Sequence, residues 1–124
     1  MIRAGWIMTG LFALFMLGAS VAPKFLGLSA ANDAMTEIGW PTKYILLIGC
    51  IELIGTILFV IPRTALLGAI LLSALLGGAM ASHLRVGSPL LSHTLFSVYL
   101  GLFMWGSLWL RSKAVRKVFP LTVN

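Results

Sequence analysis

Four stretches of the chain read as almost unbroken apolar runs: Ala4 to Ala22, Tyr44 to Ile61, Ala65 to Leu84 and Leu91 to Leu110. Each approaches the roughly 20 residues that an α-helix needs to cross the hydrocarbon core of a bilayer. The runs are continuous rather than alternating, which argues against strands, and strands span a membrane only when closed into a barrel of at least about eight. The connections are too short for a further domain. The pattern predicts a single all-α domain over residues 1–124, an integral membrane four-helix bundle with a basic tail at 111–124.

The boundaries carry further signals. Arg3 before an apolar run and Ser20-Val21-Ala22 after it resemble a secretory signal, but Pro23 follows at once and hinders cleavage, so the stretch reads as the first membrane helix. Between Pro23 and Pro41, Asn32-Asp33 forms an N-cap signal, and Gly39 with Pro41 forms a stop. Leu28, Met35 and Ile38 would give that segment an apolar side, which predicts a short interfacial helix after the first membrane helix. The tight Ile61-Pro62-Arg63-Thr64 connection makes the second and third runs antiparallel neighbours. Small residues on the third run, among them Gly68, Ala69 and Ser73, allow close helix approach.

Composition sharpens the class. Of 124 residues, 60% are hydrophobic and 10% charged, against about 25% charged in soluble domains. The net charge of +6 does not point to nucleic acid, because the nine basic residues sit at helix ends and form no stripe among stacking aromatics. With four crossings, Arg3, Arg63, Arg111, Lys113, Arg116 and Lys117 fall on one side, and Lys24, Lys43 and Arg85 on the other. That excess places both termini in the cytoplasm and leaves the tail over lipid headgroups. Trp6, Trp105 and Trp109 at one end, and Trp40 with Tyr44 at the other, match interfacial aromatics.

Candidate chemistry begins at Glu52, the one acid inside an apolar run. An ionised group near mid-bilayer costs at least about 2.5–3.5 kcal/mol on insertion scales, so it turns to a bundle interior, a partner or water. Gly49, Gly55 and Thr56 share its face. Lys24, directly after the first run, either snorkels or reaches inward. On the third helix Ala69, Ser73, Leu76, Met80 and His83 line one face, with Arg85 just beyond, and on the fourth His93, Ser97 and Gly101 share a face with Met104 and Trp105 deeper. Helical rise puts Glu52 and His83 roughly 12 Å apart along the membrane normal. Because side chains lean toward their own N-termini and the two helices run oppositely, the gap narrows. The expectation is an outward-opening polar cavity, with Glu52, His83, Arg85, His93 and Lys24 as ligand-binding or proton-relay groups and Ser73, Met80, Ser97 and Trp105 as its lining. Two histidines without a third ligand at local spacing do not predict a metal site. The single cysteine, Cys50, excludes an intrachain disulfide or Cys-x-x-Cys relay and reads as a small buried hydrophobe.

Several stretches are similar to the bacterial DoxX-like family: Ser20-Val21-Ala22-Pro23-Lys24-Phe25, Ile51-Glu52-Leu53, Pro62-Arg63-Thr64-Ala65-Leu66-Leu67-Gly68-Ala69-Ile70-Leu71-Leu72, Gly77-Gly78-Ala79-Met80-Ala81-Ser82-His83-Leu84-Arg85, Pro89-Leu90-Leu91-Ser92-His93 and Tyr99-Leu100-Gly101-Leu102-Phe103-Met104-Trp105-Gly106. The resemblance covers most of the chain and implies a small four-helix protein of the bacterial inner membrane, crossing it several times. The family's name derives from proteins resembling a subunit of a thiosulfate:quinone oxidoreductase, which implies a quinone as ligand and a membrane redox partner. Other relatives are linked to oxidative-stress complexes or membrane-protein assembly.

Two functional classes follow. The first is a binding module for a small lipophilic molecule, preferably a quinone, with Glu52 accepting or sharing a proton. The second is a noncatalytic assembly or scaffold factor that uses small residues to hold itself, as a homodimer, or another membrane protein.

Overall fold

The computed structural model describes residues 2–118. Helix α1 (Ile2–Phe25) is followed by α2 (Ser29–Glu37), α3 (Ile45–Val60), α4 (Ala65–Arg85), α5 (Phe96–Arg111) and the short α6 (Lys113–Val118), and no strand occurs among the described residues. Three helical stretches, Ile2–Phe25, Thr42–Val60 and Ala65–Arg85, are long and apolar enough to cross a membrane. The α5 helix has 16 residues, about 24 Å of rise, against a hydrocarbon core of about 30 Å. A π-helical turn, Leu90–Thr94, precedes it and holds the first part of the expected fourth run.

The first helix does not stop at Pro23. Proline lacks an N–H and its ring clashes with the carbonyl four residues back, so an α-helix normally breaks there. Here Met16–Val21 widens into π-helix, and the Ala22 N–H reaches back five residues to the Leu17 carbonyl. The shifted register lets the helix continue through Pro23 to Phe25. The α2 helix also starts earlier than its Asn32-Asp33 signal, at Ser29. Leu28 leaves the end of α1 already extended, so the next helix begins at once without a side-chain cap. Met35 is its buried anchor, and Leu28 is half exposed.

The packing is inverted relative to a water-soluble protein. Leu14 is 70% and Leu102 69% exposed, whereas Thr9, Glu52, Thr56, Ser97 and Ser107 are buried. Apolar side chains therefore point outward and small or polar ones inward, as expected where lipid is the solvent and close packing holds helices together. Cys50 follows this rule and faces outward on α3, contrary to its expected burial, because the interior side of that turn is taken by Gly49 and Glu52.

Helix α1 packs on α5 and α3, and α4 packs on both α3 and α5. Phe12, Met16, Phe59, Ala69, Leu72, Met104 and Leu108 make up most of the core, with Phe12 and Phe59 edge to face at 5.5 Å. Gly68 sets the α3–α4 approach: a Cβ there would lie 2.3 Å from the Phe59 nitrogen and 2.7 Å from the Gly55 carbonyl oxygen.

Arg111 departs most from expectation. It is only 7% exposed and is not part of a solvated tail. Its guanidinium stacks on Trp6 at 4.3 Å and Phe59 at 4.7 Å, and Nη2 donates to the Phe59 carbonyl. The cation thus satisfies an orphan carbonyl in the last turn of α3, where the helix dipole is negative. Lys113–Val118 coils into α6 with Val115 buried, and the remainder of the predicted tail, 119–124, lies outside the described residues.

Gly68→Ala should destabilise the fold by about 1–3 kcal/mol, because backbone must move to admit the methyl group. Gly10→Ala meets nothing within 4 Å and should be neutral. Reversible unfolding in mixed micelles compares them, and equal stabilities would remove the close approach as a determinant of the fold.

Candidate functional site

The candidate polar groups form two clusters, one buried and the other at the surface, where Ser92 and His93 are exposed. The first lies between α1 and α3. Because α1 continues as helix past Pro23, Ser20 and Lys24 stand one turn apart on the side that meets α3. Lys24 Nζ donates to Glu52 Oε1 at 2.9 Å, to Ser20 Oγ at 2.9 Å and to the Ser20 carbonyl at 3.1 Å, which uses all three ammonium hydrogens. Ser20 Oγ donates to Glu52 Oε2, closing a ring in which each carboxylate oxygen has a partner. Glu52 is 5% exposed, and this is the one ion pair among the described residues.

Neighbouring residues make room for the ring. Gly49, one turn before Glu52, lets the lysine stem pass: a Cβ there would stand 3.3 Å from Lys24 Cβ. Thr56 Oγ1 donates to the Glu52 backbone carbonyl at 2.7 Å, so the hydroxyl is satisfied within its own helix. Ion pairing stabilises two buried charges only when the remaining donors and acceptors are also met. That condition holds here.

The second cluster joins α4 to α5. Gly87, at φ +73°, reverses the chain after α4. The Ser88 N–H then bonds the His83 carbonyl at 3.0 Å, closing the left-handed turn that commonly ends a helix. The same reversal brings Ser88 Oγ to 2.9 Å from His83 Nδ1. Across from it Ser92 Oγ lies 2.8 Å from His93 Nδ1, and the two imidazoles sit edge to face with centroids 5.8 Å apart. Both Nδ1 atoms are thus engaged by hydroxyls.

A groove runs along the same two helices. Its volume is about 120 Å³, and Ser73, Leu76, Gly77 and Met80 of α4 face Ser97, Val98 and Gly101 of α5 across it. His83 lies one turn beyond Met80 and His93 one turn before Ser97, so the imidazole pair stands toward one end. Toward the other, Trp105 Nε1 donates to Ser73 Oγ at 2.8 Å and ties the helices together.

The candidate residues therefore separate. Lys24 does reach inward and meets Glu52. His83 pairs with His93, away from the carboxylate, and Arg85 donates to the Ile38 carbonyl at 3.2 Å, fastening α2 beside Trp40, whose indole donates to Ser82 Oγ at 2.8 Å. Ser73, Met80 and Ser97 line the groove, while Trp105 bridges its walls. Among the described residues the groove does not reach Glu52, because α4 turns Gly68 and Leu72 toward α3 and Ser73 and Met80 toward α5. Among the described residues no three His, Cys, Asp or Glu side chains gather where a metal could sit. Ser20, Ser88 and Ser92 were not among the residues expected at the site. The four-residue spacing of Ser20 and Lys24 is a usable signal once the helix is carried through Pro23.

The family model described as DoxX-like matches residues 7–107, which include both clusters and the groove. Neither the curated proteins nor the solved structures offer a significant match to the chain.

Breaking a buried pair by removing one partner costs about 3–5 kcal/mol, whereas neutralising both costs far less. Lys24→Met should accordingly destabilise strongly, and Lys24→Met with Glu52→Gln should recover most of the loss. A double-mutant cycle on unfolding free energies checks this, and additive losses would show that the two residues do not act as a pair.

Proposed function

As the chain belongs to the DoxX-like family, we propose that it is a multi-pass protein of the bacterial inner membrane that binds a small lipophilic molecule in the groove between α4 and α5. In this reading α5, extended by the turn at Leu90–Thr94, supplies a fourth crossing, both termini are cytoplasmic, and α2 lies at the outer interface over the bundle. The charge excess at the Arg3, Arg63 and Lys113 end supports that orientation.

The observation that carries the reading is that the imidazole pair stands about one helical turn beyond the residues lining the groove, on the same two helices. Ligand sites are mostly apolar concavities with a few polar groups that fix orientation. Leu76, Met80 and Val98 provide the apolar wall, Ser73 and Ser97 the small polar contacts, and His83 and His93 the hydrogen bonds to an oxygen-bearing head through Nε2. Serine hydroxyls at Nδ1 hold both rings in place. Arg85 braces the rim through Ile38. A quinone is the preferred ligand, since it joins a carbonyl-bearing ring to an apolar tail. With one cysteine the chain has no internal dithiol relay, so reduction of a bound quinone falls to a membrane redox partner. Lys24 and Glu52 take a supporting role, holding α1 against α3.

Two lost hydrogen bonds of about 1 kcal/mol each correspond to a tenfold or greater loss of affinity. Binding of a short-chain ubiquinone analogue to the purified protein should therefore weaken at least about tenfold in His83→Ala with His93→Ala. Gly77→Leu fills the groove where nothing lies within 4 Å, so it should also weaken binding while leaving thermal stability unchanged. If both variants bind as wild type does, or wild type does not bind, the groove is not the site. Retention of a stoichiometric membrane-protein partner by those same variants would then favour an assembly factor.

A further inference from the structure

The net positive charge of this chain is confined to one end. Lys24 is neutralised by Glu52, while Lys43 and Arg85 share their end of the molecule with Asp33 and Glu37. The three acids are matched there, so Arg3, Arg63, Arg111, Lys113, Arg116 and Lys117 carry the whole net charge of +6. Arg111 shows that these residues converge: its guanidinium touches Trp6, near the start of α1, and Phe59, in the last turn of α3, from the last residue of α5. None of the six forms an ion pair among the described residues.

Two of the six are spent internally. Arg111 donates to the Phe59 carbonyl, and Arg116 Nη1 donates to the carbonyls of Trp109 and Leu110. Both cover carbonyls of helix last turns. Arg3, Arg63, Lys113 and Lys117 remain exposed. Lys113 and Lys117 are one turn apart on α6, which is held down by buried Val115.

We propose that this end is a docking surface for the anionic headgroups of phospholipids, with Arg3, Arg63, Lys113 and Lys117 contacting the phosphates. Unpaired like charges repel one another, and phosphate oxygens relieve that repulsion with charge-assisted hydrogen bonds. The source of the phosphate follows from what lies beside the cations. The helix surfaces running away from them are apolar and outward-facing, with Ile7 59%, Leu11 57% and Leu67 58% exposed. A lipid satisfies both features at once, its headgroup on the basic residues and its chains along the helices. Nucleic acid would need aromatic faces free for stacking or a continuous basic groove, and Arg111 already occupies a face of Trp6.

The test is native mass spectrometry of the full-length protein released from mild detergent in the presence of equimolar phosphatidylglycerol and phosphatidylcholine. Wild type should retain phosphatidylglycerol on the order of tenfold over phosphatidylcholine. In a parallel binding assay in solution, that preference should shrink as ionic strength rises. Arg63→Gln, Lys113→Gln and Lys117→Gln should each lower the preference, and the triple variant should reduce it to about threefold or less, with helicity by circular dichroism unchanged. Lys43→Gln, at the other end, should leave it intact. Equal retention of the two lipids by wild type, or an undiminished preference in a folded triple variant, would overturn the proposal. So would a loss in Lys43→Gln as large as in the triple, or displacement of phosphatidylglycerol by a DNA duplex at equal phosphate concentration. None of these outcomes depends on the groove between α4 and α5.

Discussion

A carboxylate halfway along α3 cannot be solvated by hydrocarbon, and the way α1 meets α3 follows from that constraint. Lys24 and Ser20 solvate Glu52 instead, and both come from α1. They face α3 because α1 widens at Met16–Val21 and passes through Pro23 without breaking. Gly49 leaves space for the lysine stem to enter. The π-turn, the proline, the glycine and the ion pair therefore form one device: without the extra helical turn, Lys24 would belong to a connecting loop and Glu52 would have to find another partner. The cost of burying two charges is offset by the closed ring of hydrogen bonds around them.

Elsewhere the assembly relies on close contact rather than apolar burial, since lipid tails are as apolar as leucine. Gly68 brings α4 against the backbone of α3, and Phe12 meets Phe59 across the interior. Arg111 completes this set at the basic end. Positioned between two aromatic rings, it binds the end of α3 from α5 through a carbonyl that the helix leaves unpaired. Buried polar residues such as Thr9, Thr56 and Ser107 donate to backbone carbonyls of their own helices, so they enter the interior without requiring partners across it.

The separation of the polar groups shapes the functional reading. A buried acid joined to two imidazoles would favour proton transfer along the membrane normal. Instead the acid is enclosed with a lysine and a serine, and the imidazoles stand with serine hydroxyls about one turn beyond a groove between α4 and α5. Glu52, Lys24 and Ser20 thus satisfy one another between α1 and α3. Membership of the DoxX-like family accords with a small membrane protein of this kind.

The apolar runs, the helical class and the oddity of Glu52 were all legible in the chain, because each depends on local composition and on a helical period that needs no partner. The face shared by Ser73, Met80 and His83, and the one shared by His93 and Ser97, were legible for the same reason. Which face met which could not be read, because helix rotation is settled by contacts between segments far apart in sequence. Only the tertiary structure carried α1 through Pro23, paired Lys24 with Glu52 and turned His83 toward His93. It likewise drew Arg111 inward, where aromatic faces and a free carbonyl compensate a charge that sequence alone assigns to the surface.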